Sequence, residues 1–167
     1  LVAKNSLLNQ MIASGEYHSF ILWGPPGTGK TTIARIIERS SSHRFVQFSA
    51  VLSGIGDVKS VMKDADYAHK RRNQRTIIFI DEIHRFNKSQ QDAFLPYVES
   101  GAVILIGATT ENPAFEVIPA LLSRCHVFVL SMLSEEDLSA ILAKGFAELG
   151  LKDNEAIRGW LAQQSGG

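Results

Sequence analysis

The stretch that decides the fold is residues 24–31, which read Gly24-Pro25-Pro26-Gly27-Thr28-Gly29-Lys30-Thr31. This spacing matches a phosphate-binding loop (P-loop) at every constrained position. The apolar residues 19–23 precede it as a predicted buried strand, and residues 30–40 follow it with helical spacing. Glycines let backbone N–H groups turn inward around phosphate oxygens, and the start of a helix adds positive potential. We therefore predict a strand, a phosphate-binding loop and a helix in that order.

The polar residues of this loop indicate a nucleoside triphosphate bound with Mg²⁺. Lys30 supplies a mobile positive charge for the β- and γ-phosphates, and Thr31 offers its hydroxyl to the metal. The predicted nucleotide-binding residues are Gly24, Pro25, Pro26, Gly27, Thr28, Gly29, Lys30, Thr31 and Thr32. These nucleotide-binding residues imply ATP and Mg²⁺ as cofactors. The alternative is a glycine turn that merely precedes a helix, which so many matched positions disfavour.

Two adjacent carboxylates, Asp81 and Glu82, follow a second apolar, β-branched run at residues 76–80. Because successive strand residues point to opposite sides, we expect the two acids to do different jobs. Asp81 is the second candidate Mg²⁺ ligand, acting through the water shell of the metal, and Glu82 is the candidate base that polarises an attacking water. The alternative is an acidic strand end that only caps the next helix.

A polar segment at residues 107–112 ends another buried strand. Thr110 is the candidate contact to the γ-phosphate or to the attacking water, with Thr109 and Asn112 as alternatives. A turn that satisfies its own backbone would give the same pattern.

Arg124 lies at the end of a short helix and before a strand. An arginine there can reach the ATP of a neighbouring subunit and stabilise charge developing on the γ-phosphate, and we list it with Glu82 and Thr110 as a catalytic candidate. The alternative is a surface arginine at a helix end with no catalytic role, which is the usual case for such a residue taken alone.

Strands and helices alternate as far as residue 131, which predicts an α/β fold with a parallel five-stranded sheet and helices on both faces. The predicted strands are residues 19–23, 44–49, 76–80, 103–106 and 126–130, and the predicted helices cover the first dozen residues, 30–40, 58–65, 89–99 with a kink at Pro96, and a short segment at 121–122. We divide the chain into 1–131, an ATP-binding core, and 132–167, the start of a helical lid. Ser134 is the predicted cap of the first lid helix.

The apolar faces of three of the predicted helices are given by residue. They are Ile33, Ile36 and Ile37 in the helix after the loop; Leu138, Ile141, Leu142 and Phe146 in the first lid helix; and Ile157, Trp160 and Leu161 in the second lid helix. We expect the chain to be a fragment that lacks the N-terminal part of the core and the rest of the lid.

The composition is that of an ordinary globular protein. The 167 residues are 45% hydrophobic and 20% charged, with a formal net charge of zero, so a nucleic-acid partner would need a local patch. The single cysteine, Cys125, excludes an internal disulfide and is read as a small buried hydrophobe. No apolar run approaches the ~20 residues that span a bilayer, so we expect no membrane association.

Each of three weaker features has two interpretations. The basic residues 69–75 are a solvated loop or a DNA contact, and we place them at the sheet edge opposite the P-loop. The loop at 51–56 is an ordinary connection or a DNA contact. His84 has a structural role near the nucleotide, which we favour over proton transfer because Glu82 already fills that role.

Together these motifs resemble the AAA+ ATPases of the clamp-loader and branch-migration-motor branch. More narrowly, residues 81–92 (Asp-Glu-Ile-His-Arg-Phe-Asn-Lys-Ser-Gln-Gln-Asp) and 107–113 resemble the replication-associated recombination protein A family and its eukaryotic relatives, the Werner-helicase-interacting ATPases. The resemblance extends from about Ser19 to the C-terminus. The family's glycine-glutamine adenine element and its second sensor arginine are expected to lie outside this chain.

The resemblance implies an ATPase that is stimulated by DNA and remodels DNA or DNA-bound complexes at stalled replication forks, in replication, recombination and repair. It implies DNA ends, forks or single-stranded gaps as partners, with single-strand-binding protein as a further candidate. It also implies a homo-oligomer and a cytoplasmic, nucleoid-associated place in a bacterium. Two alternatives remain: a helicase, since residues 81–84 fit a D-E-x-H box, and a nucleotide-switched scaffold without motor activity.

Overall fold

The computed structural model describes residues 7–152 and 154–165. The strands are β1 (Phe20–Trp23), β2 (Arg44–Ser49), β3 (Thr76–Asp81), β4 (Val103–Thr109) and β5 (His126–Val129). The helices are α1 (Leu7–Ser14), α2 (Lys30–Ser40), α3 (Ile55–Arg72), α4 (Lys88–Asp92), α5 (Leu95–Glu99), α6 (Pro113–Glu116), α7 (Pro119–Leu122), α8 (Glu135–Glu148) and α9 (Glu155–Ser165), with a 3-10 turn at Ile83–Arg85. The first part of the predicted N-terminal helix, and Gly166 and Gly167, lie outside the described residues.

The five strands form one sheet in the order β2-β3-β4-β1-β5, and every neighbouring pair is parallel. The predicted α/β fold with a parallel five-stranded sheet is therefore confirmed. Trp23 pairs with Thr109, and Ile80 pairs with Gly107, so β1, β4 and β3 end close together. Because all strands run in one direction, the loops that follow them emerge at a single edge.

Both faces of the sheet are covered, which explains why its central strands are apolar throughout. Phe20, Ile77 and Ile104 pack into one buried layer with α1 and α2, whereas Ile21 and Ile78 pack into another layer with α3 and α7. Successive strand residues thus alternate between the two layers, as the two-residue period of a strand requires.

The predicted helix over residues 89–99 is two helices, and the predicted kink at Pro96 is wrong. Asn87 and Gln90 form a capping box that starts α4, and Pro96 lies in the first turn of α5, where its missing N–H costs no hydrogen bond. Gln91 is buried: its Nε2 donates to the Phe86 and Glu116 carbonyl oxygens, and its Oε1 accepts from the Ile118 N–H. This side chain ties the start of α4 to the segment before α7.

Four predicted apolar-face residues and one predicted loop differ from expectation. Ile36 and Ile141 are 47% and 43% exposed, and Ile157 and Trp160 are 50% and 60% exposed. Helical spacing identifies an apolar stripe, but it does not show which part of the stripe other elements cover. Residues 69–72 of the basic run form the last turn of α3 and not a loop. The cationic side chains there face the negative end of the helix dipole, which favours the helix.

The chain divides into two compact units, one up to Leu130 and one from Ser131 onward. In the second unit Ser134 accepts from the Asp137 N–H, and the Asp137 carboxylate accepts in return from the Ser134 N–H. This reciprocal cap starts α8, which packs against α9. The role of this unit as a lid stays a prediction.

Cys125 is half-buried against the α3-side layer. Burial raises the pKa of its thiol to about 12, so the side chain stays protonated at neutral pH. None of the helices in the described ranges has the length and apolar character needed to cross a membrane.

A glycine at position 24 is required by the close approach of two backbones. A Cβ placed there would lie 2.3 Å from the Leu130 carbonyl oxygen, next to the bond from the Leu130 N–H to the Trp23 oxygen. We expect Gly24→Ala to destabilise the fold by about 1–3 kcal/mol, because backbone atoms must shift. Denaturant unfolding followed by circular dichroism measures the change.

Gly56→Ala is the matched control. Gly56 lies in α3, and a Cβ there meets nothing within 4 Å. We expect this substitution to stabilise the protein by about 0.5–1 kcal/mol through helix propensity. Equal unfolding midpoints for the two variants would contradict the proposed clash.

Candidate nucleotide-binding site

A cleft of about 310 Å³ opens at the carboxyl edge of the sheet. Its lining comes from the segments that follow β1, β3 and β4, which are adjacent strands. The lining residues are Pro26, Gly27, Gly29, Lys30, Thr31, Thr32, Asp81, Glu82 and Thr110. The structure therefore brings most of the predicted nucleotide-binding, metal-binding and catalytic residues into one space.

The loop before α2 has the geometry of an anion-binding nest. Gly27 and Gly29 have φ values of 78° and 90°, a left-handed conformation that residues with side chains rarely adopt. Gly29 is also the N-cap of α2 and has no side chain to bond the first N–H groups of that helix. These donors can therefore bind phosphate oxygens, reinforced by the helix dipole.

Three predicted nucleotide-binding residues do not line the cleft; they shape the loop instead. The Lys30 ammonium donates to the carbonyl oxygens of Gly24 at 2.6 Å and Pro25 at 2.8 Å, and the Thr28 hydroxyl donates to the Pro25 oxygen at 2.9 Å. Gly24, Pro25 and Thr28 thus close the loop around the lysine.

Lys30 is the buried cation of the site, with 8% of its surface exposed. Burial lowers the pKa of its ammonium group, while the negative charges of Glu82 and then Asp81 act in the opposite direction. Neutral carbonyl oxygens only partly offset a buried positive charge, so an anion in the cleft would complement it. The chemistry of this site fits the phosphates of a nucleotide.

Asp81 and Glu82 line the same cleft. The strand ends at Asp81, and Glu82 has φ 55° and ψ 46°, so the alternation of a strand no longer applies to it. The Asp81 carboxylate accepts from the Glu82 N–H at 3.1 Å. The Asp81 carboxylate and the Thr31 hydroxyl are oxygen donors of the kind that hold Mg²⁺ together with phosphates, so these residues fit the metal.

Thr110 lines the cleft, whereas its two alternatives are engaged elsewhere. Thr109 is fully buried, with its hydroxyl 2.9 Å from Nδ1 of His84. The Asn112 side chain caps α6 by accepting from the Ala114 N–H. The geometry thus favours Thr110 as the group that meets a bound phosphate.

Arg124 does not line the cleft and lies on the flank after α7. Its guanidinium contacts the Glu99 carboxylate at 2.5 Å and donates to the Ala120 carbonyl oxygen at 2.6 Å. No local sequence pattern indicated Glu99, because the contact joins α5 to a residue far along the chain. The same is true of the contact between His84 and Thr109.

The two weaker candidates for DNA contact lie at opposite edges of the sheet. The loop after β2 leaves the carboxyl edge, and Leu52 within it is 87% exposed. The basic end of α3 precedes β3 and lies at the amino edge, where Lys70 pairs with Asp66. Neither segment lines the cleft.

Comparison with known proteins agrees with this geometry. The sequence profile of the ATPase family associated with various cellular activities (AAA) matches residues 20–133. Replication-associated recombination protein A of Coxiella burnetii is 52% identical over 147 residues, which are 88% of this chain and 33% of that protein. The Escherichia coli K12 protein of the same name is 48% identical over 148 residues, 89% of this chain and 33% of that protein.

A eukaryotic relative and a solved structure extend the comparison. ATPase WRNIP1 of Dictyostelium discoideum is 48% identical over 144 residues, which are 86% of this chain and 16% of that protein. The Thermotoga maritima RuvB Holliday junction branch migration motor has a TM-score of 0.72 and 27% identity over 93% of this chain and 52% of its own.

The chain spans about a third of the length of the two bacterial relatives. The match to the AAA profile covers most of the chain, including the loop, the paired carboxylates and Thr110. The chain therefore belongs to the AAA family of ATPases and is similar, within that family, to the replication-associated recombination protein A and WRNIP1 proteins.

Proposed function

We propose that this chain binds ATP with Mg²⁺ in the cleft and hydrolyses it as one subunit of a homo-oligomer that acts on DNA. The observation that carries the proposal is the shared cleft, in which a phosphate nest, a buried lysine, two carboxylates and a threonine converge. Each group supplies a different part of phosphoryl transfer to water.

Lys30 and the loop backbone bind the triphosphate. The N–H groups at the start of α2 donate to phosphate oxygens, and the Lys30 ammonium exchanges a carbonyl contact for the β- and γ-phosphates. Asp81 and Thr31 are the residues that would hold Mg²⁺, which neutralises charge on the phosphates when bound.

Glu82 orients the attacking water and accepts its proton, and Thr110 contacts the γ-phosphate or that water. Both side chains face the cleft from neighbouring strand ends. Lys30 lines the same cleft as these two side chains. The base, the phosphate-binding groups and the threonine therefore surround a single γ-phosphate.

Arg124 completes the site of a neighbouring subunit. It is absent from its own cleft and lies on a flank, paired with Glu99. This placement supports a role in trans, where the guanidinium stabilises charge that develops on the γ-phosphate.

The DNA role is supported by the relatives. The bacterial relatives are named for replication-associated recombination, and the solved Thermotoga maritima RuvB is a Holliday junction branch migration motor. We propose that ATP turnover in this protein remodels DNA or DNA-bound complexes at stalled forks in the bacterial cytoplasm. Since net charge is zero, DNA contact requires a local surface, and the exposed loop after β2 is the candidate at the carboxyl edge of the sheet.

Variants of Lys30 and Glu82 separate binding from hydrolysis. We expect Lys30→Ala to weaken ATP binding at least ~10-fold, because a charge-assisted contact to the phosphates is lost. We expect Glu82→Gln to bind ATP normally but to turn over ~10²–10⁴-fold more slowly, because an amide accepts no proton from water. Isothermal titration and phosphate release on the full-length protein measure the two effects.

The exposed Lys63 in α3 provides a control, since Lys63→Ala removes a positive charge that does not line the cleft. It should leave both binding and turnover unchanged. Parental turnover by Glu82→Gln would refute the assignment of the base.

Arg124→Ala should keep ATP binding through its own intact loop while turnover falls by about 10³-fold. Mixing Arg124→Ala with Lys30→Ala should restore partial activity, because some mixed interfaces pair an intact loop with an intact arginine. Arg35→Ala, an exposed arginine of α2, is the control. No recovery in mixed oligomers that demonstrably form would rule out action in trans.

The DNA role is tested by ATP turnover of the full-length protein with forked, single-stranded and blunt duplex DNA, each with and without single-strand-binding protein. We expect forked or single-stranded DNA to raise turnover, and the Glu82→Gln variant sets the background rate. A rate that no DNA changes would contradict the proposed coupling and would favour a nucleotide-switched scaffold.

A further inference from the structure

The His84 ring lies between the proposed catalytic base and the end of β4. Its Nδ1 is 3.2 Å from Oε2 of Glu82 and 2.9 Å from Oγ1 of Thr109. The His84 side chain is only 9% exposed, and Thr109 is fully buried. A single ring nitrogen therefore contacts both a carboxylate of the cleft and the last residue of β4, immediately before Thr110.

The neighbours of Nδ1 favour one position for the imidazole proton. The Glu82 carboxylate oxygen, 3.2 Å from Nδ1, is an acceptor only, so this contact favours a proton on Nδ1. The Thr109 hydroxyl accepts from the Glu111 N–H at 3.0 Å, and its second lone pair can accept from a proton on Nδ1.

A proton held on Nδ1 limits what His84 can do. At this atom the ring cannot remove a proton from water; it can only donate. The N–H points toward Thr109, and its positive end attracts the Glu82 oxygen beside it. His84 is therefore suited to holding the carboxylate in place.

The Glu82 carboxylate needs such a support. Its backbone has left the strand in a left-handed turn, so the sheet does not set the direction of the side chain. Across residues 7–152 and 154–165, Nδ1 of His84 is the one lysine, arginine or histidine side-chain nitrogen within 4.0 Å of this carboxylate. The 3-10 turn at Ile83–Arg85 brings the ring back beside it.

Thr109 in turn joins His84 to the phosphate-binding loop. The Thr109 carbonyl oxygen accepts from the Gly24 N–H at 3.2 Å, and Thr109 immediately precedes Thr110. The ring is thus anchored to the same backbone that positions the loop and the γ-phosphate contact.

We propose that His84 is a positioning residue for ATP hydrolysis: its Nδ1–H, oriented by Thr109, holds the Glu82 carboxylate toward the attacking water. This inference rests on the proposed role of Glu82 as the base. In this role His84 affects the rate of the chemical step, whereas the phosphate-binding loop binds the nucleotide.

Paired amide substitutions test the proposal in the full-length protein. Asn places an amide N–H near the position of Nδ1, whereas Gln places it near Nε2. We expect His84→Gln to lower kcat by ~10²-fold with little change in KM, because the base is misplaced. We expect His84→Asn to retain most of the parental kcat. Equal effects of the two substitutions, or a change confined to KM, would overturn the proposal.

A double variant separates positioning from general packing. If His84 acts through Glu82, then Glu82→Gln with His84→Gln should hydrolyse ATP in single-turnover assays at the rate of Glu82→Gln alone. A further ~10²-fold loss would show that His84 acts independently of the base. Parental activity of Glu82→Gln alone would instead overturn the role of Glu82, and this inference with it.

The proton position can be measured without nucleotide. We expect ¹⁵N imidazole chemical shifts of the neutral His84 ring to report a proton on Nδ1, and Thr109→Val to perturb that signal while Thr109→Ser leaves it. A proton on Nε2 would overturn the proposal regardless of the kinetic results.

Discussion

The parallel pairing of β3, β4 and β1 is the constraint on which the rest of the site depends. These strands are apolar and packed on both faces, so a one-residue slip would move every side chain into the wrong layer. The register is thereby set, with Trp23 opposite Thr109 and Ile80 opposite Gly107. Neighbouring strands lie about 4.8 Å apart, so three polar loops emerge within reach of one small ligand.

The electrostatics of the cleft follow from where the sheet places Lys30. The lysine is held by two carbonyl oxygens of its own loop, and Glu82 and Asp81 oppose the effect of burial on its pKa. The open N–H groups of α2 add further positive potential at the same point. A polyanion with a metal ion satisfies both sets of charges together, and this explains why cation and carboxylates share one cleft.

The ion pair between Arg124 and Glu99 is weak enough for the guanidinium to reorient. Its pair with Glu99 joins two partly exposed side chains, and such pairs are worth about 0–1 kcal/mol. The pairing therefore orders the guanidinium without preventing it from turning to a more highly charged partner. The phosphate of a neighbouring subunit would be such a partner, so the ion pair is compatible with action in trans.

The sequence by itself determined the elements and most of the cleft. A strand covered on both faces must be continuously apolar, so β3 and β4 could be predicted from their uninterrupted apolar runs. Positive φ values favour glycine, so the glycines of the loop marked its turn. The residues that follow such strands and such a loop converge by topology, which is why Lys30, Asp81, Glu82 and Thr110 were predicted together.

The tertiary structure alone decided which side chains meet across the chain. The left-handed backbone of Glu82, at φ 55° and ψ 46°, was not predictable, because a local sequence pattern marks such turns only at glycine. Gln91 bonds Glu116, and His84 bonds Thr109, each across a separation of 25 residues. Periodicity reports only on neighbours within a helix or strand, so contacts between distant loops leave no local pattern. Their geometry exists only once the sheet has brought the loops together.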